Sequence, residues 1–239
     1  MPDRVSIGAY WGVRPLTITQ AVQQALQVFE GLSRIHELLS LSTWYEKGMS
    51  KKEALSKQLV LSEGTMRRLL QDGRNRYDTT DEIIEDLGYS FNLWNGRDDE
   101  DGVSLNMVNG VTNPNPHLNN FCVLSTIKTS SALFKSETLN LILTALIETL
   151  QPDWGRVNPW ISELDLERTT PGVGWLTYLS PAYQPIPSLP SGIKVTFRPD
   201  HSTLIQLSEE LFDSSVPEHI KRIQETTAAL KQAGIVKPV

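Results

Sequence analysis

Apolar residues recur along this chain at two different periods, two and about 3.6, and the patterns succeed one another without strict alternation. That succession is what most constrains the fold. Val5, Ile7, Ala9 and Trp11 alternate with Ser6, Gly8, Tyr10 and Gly12, which predicts an opening strand. Beyond Pro15, the positions Ile18, Val22, Leu26, Phe29, Leu32 and Ile35 follow helical spacing and predict an amphipathic helix from Thr19 to Leu39. Ser50 with Glu53 three residues on is a capping-box pattern opening a short basic helix. Ser62 is a second N-cap, for a helix ending near Gly73. Thr80 caps a fourth predicted helix, with Asp81 and Glu82 in its first turn and Gly88 as its stop.

Tyr89 to Trp94 reads as a strand and Val103 to Val111 as its hairpin partner across a wide loop. Asn113-Pro114-Asn115-Pro116 is a breaker cluster and the best internal boundary. Further strands are predicted from Phe121 to Ile127, Val173 to Leu179, Ile193 to Phe197 and Thr203 to Leu207. Helices are predicted from Ser136 to Leu150 and from Pro217 to Ala233, while Pro181, Pro185, Pro187 and Pro190 stiffen a loop. The expected class is α+β, with a mixed, largely antiparallel sheet packed with helices. The expected domain is single and covers 1–239, divisible into two α+β halves, 1–112 and 118–239.

Charge is distributed unevenly. From Lys47 to Arg76 there are eight basic residues against three acidic ones. From Asp78 to Asp101 there are nine acidic residues (Asp78, Asp81, Glu82, Glu85, Asp86, Asp98, Asp99, Glu100 and Asp101) against Arg97 alone. That window carries −8 in a chain whose total is −6, so the acidity is local. An acidic protein is a poor sequence-independent binder of nucleic acid, which requires a basic surface to displace counterions. It suits a protein partner that is itself basic. Two readings of the window stand side by side: a solvated helix face and hairpin tip that keep the protein soluble, or a docking face for a cationic partner.

Catalytic signatures are missing. His36, His117, His201 and His219 lie far apart, with no second ligand at helical or hairpin spacing. The sequence contains no nucleophile elbow, phosphate-cradling glycine loop or metalloprotease helix. Counted as a calcium loop from Asp98, the sixth and twelfth positions are Val103 and Asn109, where glycine and glutamate are required. No metal or cofactor is expected, and the alternative is a metal-dependent hydrolase of unrecognised type using Asp98 to Asp101. The one cysteine, Cys122, excludes an internal disulfide and sits in an apolar run that favours a buried thiol. No apolar run approaches the roughly 20 residues that span a bilayer. With no signal-peptide pattern at the amino terminus, the expected compartment is the cytoplasm, with no membrane partner. Trp11, Trp94 and Trp175 fall in predicted strands and are assigned to the core, whereas Trp44, Trp154 and Trp160 fall near element ends, where an indole can anchor an interface. Arg74 and Arg76 beside Asp78 are expected to form an internal ion-pair knot.

Several segments together resemble the bacterial immunity protein 52 family. They are Gly73-Arg74-Asn75-Arg76-Tyr77-Asp78 running on through Ile83 to Phe91 and Leu93-Trp94-Asn95-Gly96, then Ala9-Tyr10-Trp11-Gly12, and Trp44-Tyr45-Glu46-Lys47-Gly48 followed by Lys52-Glu53-Ala54-Leu55. Pro152-Asp153-Trp154-Gly155 and Val173-Gly174-Trp175-Leu176-Thr177-Tyr178-Leu179-Ser180 complete the set, which spans nearly the whole chain. The resemblance implies a non-catalytic protein that binds and neutralises a cognate restriction-endonuclease-like effector toxin of polymorphic or type VI secretion systems. It carries over no catalytic residues and no partner footprint, and the sequence is compatible with self-association.

Overall fold

In a computed structural model, residues 4–97, 99–115, 117–126, 132–159, 171–213 and 215–236 are described. Their strands are β1 Val5–Trp11, β2 Tyr45–Glu46, β3 Tyr89–Trp94, β4 Val103–Asn109, β5 Asn120–Thr126, β6 Trp154–Pro159, β7 Leu176–Leu179, β8 Lys194–Phe197 and β9 Thr203–Gln206. Their helices are α1 Ile18–Ser33, α2 Lys51–Leu55, α3 Glu63–Asp72, α4 Ser136–Leu150 and α5 Pro217–Gln232. The strands form one sheet in the order β2-β3-β4-β5-β1-β6-β7-β9-β8, and every pairing is antiparallel. The expected α+β class with an antiparallel sheet is what the chain adopts.

The first strand is the middle one. β1 pairs with β5 from Ser6 opposite Ser125 to Trp11 opposite Asn120, and with β6 from Val5 opposite Pro159 to Tyr10 opposite Trp154. The Asn113–Pro116 break is thus a connection between the adjacent strands β4 and β5. Helices α1 and α4 cover one face of the sheet. Phe29 of α1 lies 5.9 Å from Phe91 of β3. Gln24 of α1 accepts a hydrogen bond from Asn109 of β4, and Leu143 of α4 lies against Gly155 of β6. Helix α3 flanks α1 and contacts β3.

On the opposite face of β1, Gly8 leaves room for its neighbour. A β-carbon there would lie 2.4 Å from the Tyr10 hydroxyl, because the Tyr10 ring lies back over Gly8. That ring stacks on Trp154 at 4.0 Å between centroids. The guanidinium of Arg156 approaches both rings, at 6.0 and 5.4 Å.

Helix starts follow the caps. Thr17 makes a full capping box with Gln20 that the sequence pass did not single out. Ser50 caps α2, but Glu53 reaches past it to the Met49 N–H, so only half of the predicted box forms. Ser62 caps α3, which ends at Gly73 as predicted.

Several expectations are corrected. Helix α1 stops at Ser33 rather than Leu39, because extended His36 accepts the Leu38 N–H on Nδ1 and starts a separate 3-10 turn over Glu37–Leu39. No α-helix forms from Thr80 to Gly88. Arg76 instead makes a β-bridge to Ile83, Asp81 turns the chain at φ 57°, and only a 3-10 turn at Glu85–Leu87 remains. So short a segment is marginal as a helix on its own, and here it buries no residue between Asp78 and Leu87 that would hold it. Strands β2 and β6 were not anticipated. Trp44 and Trp154 are core residues at 0% and 3% exposure rather than interface anchors, whereas Trp94, assigned to the core, is only half-buried. Trp160 lies outside the described residues. Cys122 is fully buried, and desolvation pushes its thiol up to about 12, which makes it an inert core thiol.

Replacing Gly8 by Ala is expected to displace the Tyr10 ring from Trp154 and to destabilise the fold by roughly 1–3 kcal/mol. Urea denaturation of the Gly8→Ala variant checks this, with a Tyr10→Leu/Gly8→Ala double variant expected to recover part of the loss.

Candidate interaction surface

The acidic window does not form one face. Asp78, Asp81, Glu82, Glu85 and Asp86 lie on the turns that lead into β3, while Asp99, Glu100 and Asp101 lie on the loop that leaves it toward β4. Asp98 lies outside the described residues. Between the two groups runs the length of β3, about 17 Å at the usual rise per residue. The carboxylates therefore form two poles of one hairpin.

Both poles hold part of their charge in local pairs. At the first, Arg74 meets Glu85 at 2.5 Å and Arg76 meets Asp81 at 3.5 Å while donating to the Asp81 carbonyl. Arg74 and Arg76 thus do form ion pairs, but with Glu85 and Asp81 rather than Asp78. Asp86 accepts from the Asn113 side chain at 2.5 Å, and its carbonyl accepts from the N–H groups of Thr112 and Asn113. These bonds tie the first pole to the β4–β5 connection. At the second pole Arg97 donates to both oxygens of Asp99, at 3.1 and 2.9 Å, and approaches Asp101 at 3.5 Å. That guanidinium holds the Asp99 carboxyl below the ordinary carboxylate range, so its charge persists into mild acid. Counting described residues, five carboxylates against two guanidiniums leave the first pole at −3, and three against one leave the second at −2.

The second pole is held in place from beneath. Asn95 is buried; its side-chain oxygen accepts the Val103 N–H at 2.9 Å and its amide donates to the Asp101 carbonyl at 2.8 Å. Asp101 also accepts the Ala132 N–H. Gly96 takes φ 75° and lets the Tyr45 ring lie directly over the chain, since a β-carbon would come within 2.6 Å of that ring. Asp99 and Asp101 turn toward Arg97, and among the described residues no three His, Cys, Asp or Glu side chains converge as a metal set. The four histidines are not brought together: His36 caps its 3-10 turn, His219 accepts the Asp213 N–H, and His117 and His201 are exposed.

Between the poles lies the sheet face that α1 and α4 leave uncovered. Burial alternates residue by residue along β4 and β5, with Leu105, Met107, Cys122 and Leu124 inward. Ser104, Asn106, Val108, Val123 and Ser125 are only half-buried on the other side. β3 places Ser90, Asn92 and Trp94 on that same side, in register with Val108, Asn106 and Ser104. Tyr45 of β2 extends it, its ring 6.3 Å from Trp94, whose Nε1 donates to the Glu46 carbonyl. None of these residues was assigned to a binding surface from the sequence, and Trp94 was assigned to the core.

Among the described residues, no helix is long and apolar enough to cross a membrane. No curated protein matches the chain. Its fold is similar to the solved structure of Pseudomonas aeruginosa T6SS protein PA0821, at a TM-score of 0.52 and 13% identity over 98% of this chain and 76% of that one. The family model for immunity protein 52 matches residues 3–239. With that match spanning all but the first two residues, the chain belongs to the immunity protein 52 family.

Proposed function

We propose that this chain neutralises a cognate nuclease effector toxin by forming a stoichiometric complex with it in the cytoplasm, where the toxin's nucleic-acid substrate is found. The observation that carries this reading is the match to the immunity protein 52 family along residues 3–239. The likeness to a T6SS protein supports type VI secretion as the setting in which such a toxin arrives. The nuclease assignment is supported by charge. A nuclease holds phosphates with Lys and Arg, and two acidic poles on one hairpin complement such a surface. The footprint proposed for the partner includes Asp78, Asp81, Glu82, Glu85 and Asp86 at one pole and Asp98, Asp99, Glu100 and Asp101 at the other. Inhibition in this account needs no catalysis by the immunity protein, because occupying the phosphate-binding surface is enough to exclude substrate.

Co-expression with the nuclease domain of the proposed cognate toxin is expected to yield a co-purifying complex and intact plasmid. Plasmid degradation with no complex would contradict the reading. Reversing Asp99 and Glu100 to Lys is expected to slow association about tenfold at low salt and to flatten its salt dependence, with little change in dissociation. Stopped-flow association at two ionic strengths measures both, and an unchanged rate would remove the second pole from the footprint.

A further inference from the structure

We infer that the toxin docks onto the uncovered sheet face itself, with Trp94 and Tyr45 as its anchors and the two acidic poles as its rim; this rests on the nuclease-inhibitor reading above. The face has a composition that neither solubility nor core packing explains. Among the described residues its floor carries Asn92, Ser104, Asn106 and Ser125, with Phe121, Val108 and Val123 half-buried among them and no charged side chain, while Ser90 at its end donates its hydroxyl to the Gly73 carbonyl. A solvated sheet face that only keeps a protein soluble is expected to carry Lys and Glu, which also discourage unwanted pairing. Small hydroxyls and amides interspersed with Tyr and Trp are instead the composition of surfaces that recognise proteins, adaptable hydrogen bonding around rigid aromatic anchors. Loss of charge at the centre with charge at the margin is likewise the anatomy of an interface.

Geometry supports the same assignment. Trp94 is half-buried at the loop end of the floor, its indole N–H already bonded to the Glu46 carbonyl and its ring beside Tyr45. Two aromatic rings fixed in this way add contact area with little further loss of conformational freedom on binding. Size also brings the rims in. Three strands about 4.8 Å apart and about 20 Å long give roughly 300 Å² of floor, well short of the roughly 800 Å² each partner contributes to a stable complex. The poles at either end of β3 supply adjoining surface, and their sign fixes the occupant as a basic protein surface rather than a second copy of this acidic chain. A second copy would bring acidic poles against acidic poles.

The test places arginine on the floor, where it adds bulk and a charge that repels a basic partner. Asn92 is exposed and Asn106 half-buried, and both side chains face away from the core. The Asn92→Arg/Asn106→Arg variant is expected to bind the toxin's C-terminal domain about 30-fold or more weakly by calorimetry, with a melting temperature close to that of the parent. Gln27→Arg, an exposed position of α1 on the covered side of the sheet, adds the same type of charge and is expected to bind as the parent does. Parent-like binding by the floor variant would overturn the proposal, and so would an equal loss in Gln27→Arg. If the double variant unfolds, Asn92→Arg alone decides by the same criterion. A parent chain that fails to bind the toxin at all overturns the nuclease-inhibitor reading together with this one, whereas a parent that binds beside an unaffected floor variant overturns only this one.

Discussion

The pairing of β1 between β5 and β6 is the constraint on which the rest depends. A strand from the first dozen residues forms the middle of the sheet, so its hydrogen bonds wait for chain more than a hundred residues away. Its central position requires packing on both faces. Ile7 and Ala9 lie on the side that α1 and α4 cover, and on the other side the Tyr10 ring folded over Gly8 and stacked on Trp154 closes the middle of the sheet. To one side of that closure the strands β5, β4 and β3 keep a face toward solvent. On the other side, Arg156 and Asn158 of β6 and Thr177 of β7 are buried. The boundary between covered and open sheet therefore runs along β1.

That boundary organises the candidate surface. The hairpin of β3 and β4 carries its apolar residues against α1 and turns Ser, Asn and Trp outward, while its two ends carry the carboxylates. Each end is fixed by bonds that do not depend on a partner: Asp86 to the β4–β5 connection, and Asn95 beneath the Arg97–Asp101 loop. A surface held in shape before binding loses less freedom when it is covered, which suits the proposed complex with a toxin. The ion pairs within the poles fit this view. Exposed pairs of this kind contribute little to stability, but Arg97 and Arg76 restrain carboxylates that would otherwise repel one another.

Much of this was legible in the sequence. Period-two alternation marked β1, and helical spacing marked α1 and α4, because each of these elements buries a continuous stripe of apolar residues. Where local signals stood without such a stripe, they misled. Thr80 with Asp81, Glu82 and Gly88 has the caps and charges of a helix, yet Ile83, Ile84 and Leu87 are not buried and the segment folds into turns. Trp44 and Trp154 sit beside turn-forming residues and look like element ends, but long-range pairing makes them core. β2 has two residues and β6 contains two polar side chains and a glycine, so neither shows a period. The charge window was visible as composition, but only the course of β3 shows that it is divided. The floor between the poles was hidden because uncharged Ser and Asn carry no signal until their register is known.

Hydrogen–deuterium exchange of the chain, alone and saturated with the nuclease domain of its proposed cognate toxin, tests the central claim most directly. The account predicts that new protection on binding concentrates in the loop at Asn95 to Gly102, the turns from Asp78 to Gly88 and the part of β3 beyond its short pairing with β2, with α1 and α4 unchanged. Protection confined to α1, α4 or the β8 edge, with the β3–β4 hairpin unaltered, would contradict it.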